Sequence, residues 1–199
     1  MCGRYFIDAG DREWMRVLEL LAQEDRQSPA FADMRTGEVY PTHIVPVLTA
    51  PDRAHLMQWG FTRFDGKGQV INARSETAGE KSMFRRPLSQ GRCLIPASCY
   101  YEWRKLEGGG KQKYALSPQE PLYMAGLYRR EQGAALPRFV IMTRDAAPEI
   151  AFIHDRMPVI FDKPAQQKWL ERDVALDALL AQAENAIRFE PADGQTALF

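Results

Sequence analysis

The sequence predicts an α+β fold, a single compact domain in which helices flank a mainly antiparallel, barrel-like β core. Many short apolar segments are bounded by Gly, Pro and polar residues, which is typical of short strands. Helical patterns occur among them, but without the strand–helix–strand alternation that builds a parallel sheet. The chain has 199 residues, 45% of them hydrophobic, and shows no long linker, so one domain over residues 1–199 is expected. The pattern leaves open whether the sheet closes into a complete barrel.

The first half of the chain predicts one amphipathic helix, two strands and a strand that leads into a second helix. In "GDREWMRVLELLAQ", apolar residues recur at helical spacing: Trp14, Val17, Leu18 and Leu21. Strands are expected in "VYPTHIVPVLTA" and "AHLMQWGFT", and the prolines of the first favour an edge or irregular position. "QVINARSETAGEKSMFRRPL" passes from a strand into a helix, with Ser75 or Thr77 as the expected N-cap.

The second half predicts more strands and ends in helices. "GRCLIPASCYYEWRKLEGGGKQKYALSP" indicates a hairpin whose tip is residues 108–110, all Gly. "PLYMAGLYRR", "RFVIMT" and "MPVIF" predict further strands, and "DAAPEIAFIH" predicts a short helix with Pro148 in its first turn. "DKPAQQKWLERDVALDALLAQ" predicts one or two helices, and no element is predicted after Arg188.

Charge and cysteine usage limit the functional classes. Lys and Arg number 26, as do Asp and Glu, so the formal net charge is zero and gives no support to nucleic-acid binding beyond a local patch. Three cysteines and no apolar leader predict a reducing cytoplasm without a signal peptide. The apolar runs are far shorter than the ~20 residues of a membrane helix, so no membrane partner is expected.

The opening stretch "MCGRY" places a cysteine directly after the initiator methionine. Removal of Met1 would leave Cys2 with a free α-amine and a thiol on neighbouring carbons. This 1,2-aminothiol is a group that no internal cysteine offers. The alternative is that Cys2 is simply a small residue in a loosely ordered chain end.

Three other stretches place polar residues in apolar surroundings. Asn72 ends an apolar strand in "INARSET", Glu102 lies between two aromatic residues in "CYYEW", and His154 interrupts apolar residues in "AFIHDRMPVIF". Each has a simpler explanation: a turn cap for Asn72, an outward strand position for Glu102, and a core histidine or helix cap for His154. Taken singly, these simpler explanations are favoured.

The sequence contains no motif for two common types of site, a metal site and a serine hydrolase active site. Cys93 and Cys99 are six residues apart, and the three histidines are scattered, so the ligand spacing of a metal site is not present. No G-x-S-x-G occurs, which argues against a serine hydrolase of the nucleophile-elbow type. The glycines at 108–110 are not followed by a phosphate-binding pattern. We therefore expect neither a metal nor a cofactor.

Short motifs nevertheless occur together in a fixed order: "MCGRY", "YPTHIVPV", "WGF", "INARSET" with "EKSMFR", "RCLIPA" with "YYEW", and "HDRMPVI". In this order they resemble the SRAP family (SOS response-associated peptidase), also described as abasic-site processing proteins. The resemblance runs from Cys2 to about Ile160 and implies a compact α+β domain with a barrel-like antiparallel core. Cys99 stands where the family usually has glycine or another small residue. The stretch "MTRDAA" departs from the family pattern and leaves the role of Thr143 open.

The resemblance also implies an activity, covalent attachment to an abasic site in single-stranded DNA. It implies an autocatalytic removal of Met1 that exposes the aminothiol. The implied catalytic residues are Cys2, Asn72, Glu102 and His154. The implied phosphate-binding residues are Arg4, Arg74 and Arg156. Trp59 and Trp103 are further candidates for stacking on DNA bases.

Two alternatives stay open at this point. The chain could bind single-stranded DNA through arginines and aromatic residues without a covalent step. It could also act as a glutaminase of the N-terminal-nucleophile class, since "MCG" opens those domains too, although they lack "INARSET" and "HDRMPVI". No feature indicates an obligate protein partner, and a monomer is expected.

Overall fold

The structure is a computed structural model and describes residues 2–119, 121–172 and 174–192. Helices in the described residues are α1 (Arg12–Glu19), α2 (Gln23–Arg26), α3 (Ser82–Gln90), α4 (Lys163–Glu171) and α5 (Leu176–Leu180), with a short 3-10 helix at Pro29–Phe31. The strands of the first half are β1 (Tyr5–Ile7), β2 (Gly37–Val39), β3 (Ile44–Ala50), β4 (Arg53–Trp59), β5 (Phe61–Thr62), β6 (Gln69–Val70) and β7 (Asn72–Arg74). The strands of the second half are β8 (Arg92–Ala97), β9 (Cys99–Lys105), β10 (Lys111–Ser117), β11 (Leu122–Arg129), β12 (Arg138–Asp145), β13 (Arg156–Pro158) and β14 (Arg188–Pro191).

The larger sheet closes on itself. Its strands follow the order β11-β8-β3-β4-β12, and β12 pairs again with β11, so these five strands form a ring. All pairings in the ring are antiparallel except β4 with β12. Strands β13 and β7 both extend from β12, antiparallel and parallel respectively. The barrel-like core expected from the sequence is therefore confirmed.

Gly126 lies on β11, which pairs with β8 on one side and β12 on the other, and its backbone packs closely against both strands. A Cβ at this position would lie 2.9 Å from the main-chain oxygen of Val140 and still closer to the Ile95 side chain. Real Cβ atoms do not approach main-chain oxygens so closely, so only glycine fits without moving a strand. This glycine lets the ring close.

A second sheet carries the beginning of the chain. Its order is β14-β10-β9-β1-β2, with all neighbours antiparallel. The hairpin between β9 and β10 turns at residues 108–110, where all three glycines have positive φ, as the glycine run predicts. Strand β14 adds to β10 at the end of the chain, where the sequence pattern predicts no element.

Alternating residues of the ring strands pack into two hydrophobic clusters. One contains ring residues such as Trp59 and Ile141 together with Cys2, Tyr5 and Tyr100 from the second sheet. The other contains the intervening ring residues together with side chains of the helices. The ring therefore supports the first residues of the chain on one side and the helices on the other.

Two of the helices, α1 and α4, begin at a residue whose side chain caps the first turn. The Asp11 carboxylate accepts a hydrogen bond from the Glu13 N–H (2.8 Å) at the start of α1, and Asp162 does the same for Ala165 (2.9 Å) at α4. Helix α3 begins only after Lys81, which makes no side-chain cap. The expectation that Ser75 or Thr77 caps this helix is therefore wrong, because a turn of several residues separates β7 from α3.

Two other local predictions are also corrected. Strand β3 is internal to the ring, so of the two positions that the prolines favoured, edge or irregular, the edge is wrong. The strand is irregular: it pairs with β8 only at Leu48↔Leu94, and its register with β4 shifts between Leu48 and Ala50. Residues 148–153 form hydrogen-bonded turns where a short helix was expected. These turns bring the chain back so that β13 can pair with β12.

Candidate functional site

Cys2 is fully buried beside the second sheet. Strand β1 pairs with β9 so that Tyr5 lies opposite Tyr100, and this pairing holds the first residues of the chain against β9. The Cys2 thiol donates a long hydrogen bond to the main-chain oxygen of Arg4, at 3.8 Å. Burial raises the pKa of the thiol far above its ordinary value, and the charge of Glu102 raises it further. Cys2 is therefore a fixed, neutral group in the resting protein. Met1 lies outside the described residues.

Asn72 fixes the position of Cys2 from the ring sheet. Strand β7 pairs in parallel with β12, and Asn72 is the first residue of this pairing, opposite Ile141. The Asn72 side-chain amide donates a hydrogen bond from Nδ2 to the main-chain oxygen of Cys2, at 2.9 Å. Its Oδ1 is buried and has no hydrogen-bond partner among the described residues. One end of the amide thus holds the protein, and the other end is available to a donor on a substrate.

Glu102 points inward from β9. Its side chain is buried, whereas Tyr101 and Trp103 on either side lie on the opposite face and are partly exposed. The alternative of an outward strand position is therefore wrong. Burial raises the pKa of Glu102 to about 7, with the charge of Asp155 raising it as well. Such a carboxyl group can both give and accept a proton near neutral pH.

His154 faces Glu102 from the segment that precedes β13. Its Nε2 lies 3.9 Å from Glu102 Oε2. Its Nδ1 accepts a hydrogen bond from the Arg156 N–H at 3.0 Å, and the carboxylate of Asp155 also lies 2.8 Å from this nitrogen. The main-chain donor is fixed and the Asp155 side chain is exposed, so we assign Nδ1 as an acceptor and place the proton of the neutral ring on Nε2, towards Glu102. Burial lowers the pKa of His154, which keeps the ring neutral at physiological pH.

Tyr5 and Tyr100 complete the buried part of the site. Both side chains are fully buried, and Tyr100 shares the inward face of β9 with Glu102 because residues two apart on a strand point the same way. We call Cys2, Tyr5, Tyr100 and Glu102 the floor of the site. Neither tyrosine stands out in the sequence as a site residue. The alternation of Tyr100 with Glu102 on one strand, and the closeness of Tyr5 to Cys2 along the chain, are the signals that point to them.

Arg4, Arg74 and Trp103 form what we call the rim of the site. The Arg4 guanidinium lies over the rings of Tyr40 (4.3 Å) and Trp103 (4.9 Å), and its Nη1 is 3.5 Å from Glu38 Oε2. Arg74 is exposed at the end of β7, two residues after Asn72, and its side chain makes no hydrogen bond or ion pair with the described residues. The rim therefore offers positive charge to solvent next to a buried chemical centre.

Arg156 differs from the rim arginines because two carboxylates hold its buried side chain, whereas the partly exposed Arg4 lies near one carboxylate, that of Glu38. Its guanidinium makes paired hydrogen bonds to both Glu76 carboxylate oxygens, at 2.8 and 2.9 Å, and also contacts Asp145 (2.5 Å). A further hydrogen bond reaches the main-chain oxygen of Thr143, at 2.9 Å. The side chain is largely buried. A DNA phosphate would have to displace one of these carboxylates, of which Asp145 is the more exposed.

Trp59 lies in the core and not on the surface. It is fully buried, its Nε1 donates to the main-chain oxygen of Ile71 (3.0 Å), and its ring packs against Tyr5 and Phe139. Both faces of the ring are therefore covered. This corrects the expectation that Trp59 stacks on a DNA base; its role is to support Tyr5 and hence β1.

The described residues contain neither a cluster suited to a metal ion nor a membrane-spanning helix. Within the described residues, no group of three or more His, Cys, Asp or Glu side chains is placed to hold a metal ion. No helix in that part of the chain is both long enough and apolar enough to cross a membrane.

Comparison with known proteins gives a consistent result. The family model described as SOS response associated peptidase (SRAP) matches residues 1–194. The chain is 40% identical over 183 residues to "Abasic site processing protein YoaM" of Bacillus subtilis, covering 85% of this chain and 79% of that protein. It is 31% identical over 185 residues to "Abasic site processing protein YedK" of Escherichia coli, covering 88% and 82%.

A relative from an animal and a solved structure extend this comparison. "Abasic site processing protein HMCES" of Gallus gallus is 36% identical over 221 residues, covering 86% of this chain and 66% of that protein. A crystal structure of a Bacteroides thetaiotaomicron protein superposes with a TM-score of 0.77 at 24% identity, covering 96% of this chain and 92% of that one. At this identity the superposition shows a common fold.

Proposed function

Because the chain belongs to the SOS response associated peptidase (SRAP) family, we propose that it captures abasic sites in single-stranded DNA by forming a covalent link through Cys2. The observation that carries the proposal is the hydrogen bond from Asn72 to the main-chain oxygen of Cys2. It holds the second residue of the chain inside a site that also contains Glu102 and His154. The names of the relatives, which describe abasic site processing, support the same substrate.

The link requires Met1 to be removed first. Hydrolysis of the Met1–Cys2 peptide bond consumes one water and releases methionine, which leaves the α-amine of Cys2 free. We assign this hydrolysis to the chain itself, and the description of the family as a peptidase supports the assignment. An α-amine has a pKa near ~7.7–8.0, so a substantial fraction is neutral and nucleophilic near neutral pH.

The covalent link forms in two steps. The open-chain abasic deoxyribose carries an aldehyde, and the α-amine of Cys2 condenses with it to an imine with loss of one water. The Cys2 thiol then adds to the same carbon and closes a five-membered thiazolidine. Because the thiol and the imine belong to one residue, the second step is intramolecular and strongly favoured. A lysine imine lacks this second step and is readily hydrolysed.

Glu102 and His154 would move the protons of these steps. Opening of the sugar ring and formation of the imine both need a proton to be taken from one atom and given to another. Glu102, with its pKa raised to about 7, can do both near neutral pH. Neutral His154 presents its Nε2 proton towards Glu102 and can donate a hydrogen bond to a sugar oxygen at the same place.

The rim would bind the DNA strand. Arg74 and Arg4 present guanidinium groups of the kind that bind phosphate in a fork-shaped geometry. Trp103, which lies against Arg4, is the remaining candidate for stacking on a base. Arg156 joins this set when a phosphate replaces Asp145 or Glu76 as its partner.

A direct test uses protein whose intact mass shows that Met1 is absent. This protein is mixed with a single-stranded oligonucleotide that carries one abasic site and is then analysed on a denaturing gel. We expect a shifted band whose mass is the sum of the two components less one water. Cys2→Ala protein, and protein with one extra residue left before Cys2, should give no such band.

The oligonucleotide provides the matched control. A tetrahydrofuran analogue of the abasic site has the same shape but no aldehyde, so it should bind without a covalent band. If processed wild-type protein binds the abasic oligonucleotide but no band survives denaturation, noncovalent DNA binding becomes the better description. Release of ammonia from glutamine by the same protein would instead support the glutaminase alternative.

A further inference from the structure

The two tyrosines of the floor have buried hydroxyl groups without a hydrogen-bond partner. Neither the Tyr5 nor the Tyr100 hydroxyl bonds to any described residue, and both side chains are fully buried. A buried donor without an acceptor is unfavourable, and such groups are rare in folded proteins. Elsewhere in this chain a buried phenol is satisfied: Tyr123 donates to Glu13 at 2.9 Å.

Both tyrosines belong to the same buried surroundings as Cys2. Tyr5 and Tyr100 lie directly opposite each other on β1 and β9, and both belong to the same buried cluster as Cys2. Residues paired in this way have Cβ atoms about 5 Å apart, so the two rings are neighbours. Burial raises the pKa of both phenols, and a charge on the Cys2 sulfur raises it further. The charge of Glu102 adds to the effect at Tyr100.

The Cys2 sulfur needs a hydrogen-bond donor when it reacts. As the sulfur attacks the imine carbon it gives up its proton and develops negative charge. The same burial that protects the thiol makes this charge unfavourable, because there is no water to solvate it. A preorganised donor next to the sulfur stabilises the developing charge most effectively in such a dry site.

We propose that Tyr100, assisted by Tyr5, is a further catalytic residue whose hydroxyl donates a hydrogen bond to the Cys2 sulfur during ring closure, an inference that rests on the proposed function. The step is balanced without any co-reactant. A sulfur–carbon bond forms, the electron pair of the C=N double bond moves to nitrogen, and the thiol proton is delivered to that nitrogen. The phenols keep their protons, and nothing is oxidised or reduced.

The test is Tyr100→Phe, which removes one oxygen and keeps the ring. Protein and abasic oligonucleotide are mixed and quenched with borohydride at successive times. Borohydride reduces the imine to a stable amine and leaves the Cys2 thiol free for alkylation, whereas in the thiazolidine this sulfur is blocked. Intact mass after denaturation and alkylation therefore separates the two adducts. We expect imine to accumulate and ring closure to slow on the order of tenfold, with its pH profile moved to higher pH.

Stability distinguishes this role from a structural one. Because the Tyr100 hydroxyl has no partner in the resting protein, Tyr100→Phe should leave the melting temperature unchanged or raise it. The matched control, Tyr123→Phe, loses a satisfied hydrogen bond. It should lower the melting temperature by about 2–4 °C and leave ring closure unchanged. Tyr5→Phe serves as a second variant and should slow ring closure in the same direction as Tyr100→Phe.

The possible outcomes separate the two proposals. If wild-type protein forms the adduct and both Tyr100→Phe and Tyr5→Phe close the ring at the wild-type rate, this inference is wrong and the proposed function stands. If Tyr100→Phe is slow only in proportion to a loss of folded protein, the hydroxyl is structural and the inference is again wrong. If wild-type protein forms neither imine nor thiazolidine, the proposed function fails and the inference fails with it.

Discussion

Glu102 and Trp103 are neighbours on β9, but they belong to two regions of opposite character. Glu102 points into the floor, where it is buried with Cys2, Tyr5 and Tyr100. Trp103 points to the rim, where it lies against the partly exposed Arg4. The alternation of a single strand thus separates a dry region, where pKa values are strongly shifted, from a hydrated region, where positive charge meets solvent. If the proposed function holds, changes in the floor should alter the reaction and changes in the rim should alter DNA affinity.

The largest expected effect tests whether the floor controls the chemistry. Glu102→Gln keeps the shape of the side chain but cannot exchange a proton, so crosslinking should slow by about 100-fold or more. In wild-type protein the rate should fall as the pH drops below about 8, because the α-amine of Cys2 becomes protonated, and should fall more steeply below about 7, because the Glu102 carboxylate becomes protonated as well. The variant should keep only the shallower dependence that belongs to the amine. Single-turnover crosslinking from about pH 5.5 to pH 8.5 measures both effects.

Glu107→Gln is the matched control for this prediction. Glu107 is an exposed glutamate on the β9–β10 turn of the same hairpin, so its substitution should change neither rate nor pH profile. DNA affinity and its salt dependence should be the same in all three proteins, since Glu102 lies outside the rim. A Glu102→Gln protein that crosslinks at the wild-type rate would remove Glu102 from the mechanism.

A smaller effect concerns the free energy of unfolding of the protein, to which the buried Glu102 of the floor contributes. Burial raises the pKa of Glu102 from its ordinary 4.5 to about 7, so the folded protein favours the protonated carboxyl group. The stabilisation that this raised pKa gives to the folded protein is fully present below about pH 4.5 and is lost as the pH rises through about 7. Glu102→Gln should therefore be more stable than wild type at about pH 8, by on the order of 1–3 kcal/mol.

Urea unfolding of both proteins at several pH values checks this prediction. The difference should shrink towards zero as the pH approaches about 4.5, where both side chains are neutral. A difference that does not change with pH would mean that the carboxyl group is solvated in the folded protein, and the contrast between a dry floor and a hydrated rim would then be wrong.

The smallest expected effect belongs to the rim. Arg74→Met should leave the free energy of unfolding within about 0.5 kcal/mol of wild type, because the exposed Arg74 side chain makes no hydrogen bond or ion pair with the described residues. It should weaken binding to single-stranded DNA and lower the slope of log affinity against log salt by about 0.7, the value for one lost phosphate contact. Binding to the tetrahydrofuran oligonucleotide at several salt concentrations measures this slope without interference from crosslinking.

Arg53→Met provides the control for charge alone. Arg53 is an exposed arginine at the start of β4, whereas the site lies near the other end of that strand, so the slope should not change. An unchanged slope in Arg74→Met would remove Arg74 from the phosphate contacts. Equal slopes in both variants, each lower than wild type, would instead indicate a diffuse effect of net charge.

Local sequence patterns predicted most of the helices and strands, but not which strands pair with each other. The hairpin at residues 108–110, helix α1 and the strands around "RFVIMT" follow from turn residues and apolar spacing, which act within a few residues. Of the edge or irregular position that the prolines of β3 favoured, the edge is wrong, because β3 also pairs with β8, a strand that is distant in sequence. Strand β14 has no apolar pattern of its own and is stabilised by pairing with β10.

The sequence alone determined which residues are candidates for the chemistry. A cysteine in second position, together with the motifs around Asn72, Glu102 and His154, sufficed to identify the family. Only the tertiary structure decided what surrounds them: Trp59 is a core residue, Arg156 is paired with carboxylates, and two tyrosines with buried, unpartnered hydroxyls pack in the same cluster as Cys2. The physical reason is that burial, and with it the pKa of a side chain, depends on contacts between strands far apart in the chain, whereas a motif records only which residues are adjacent.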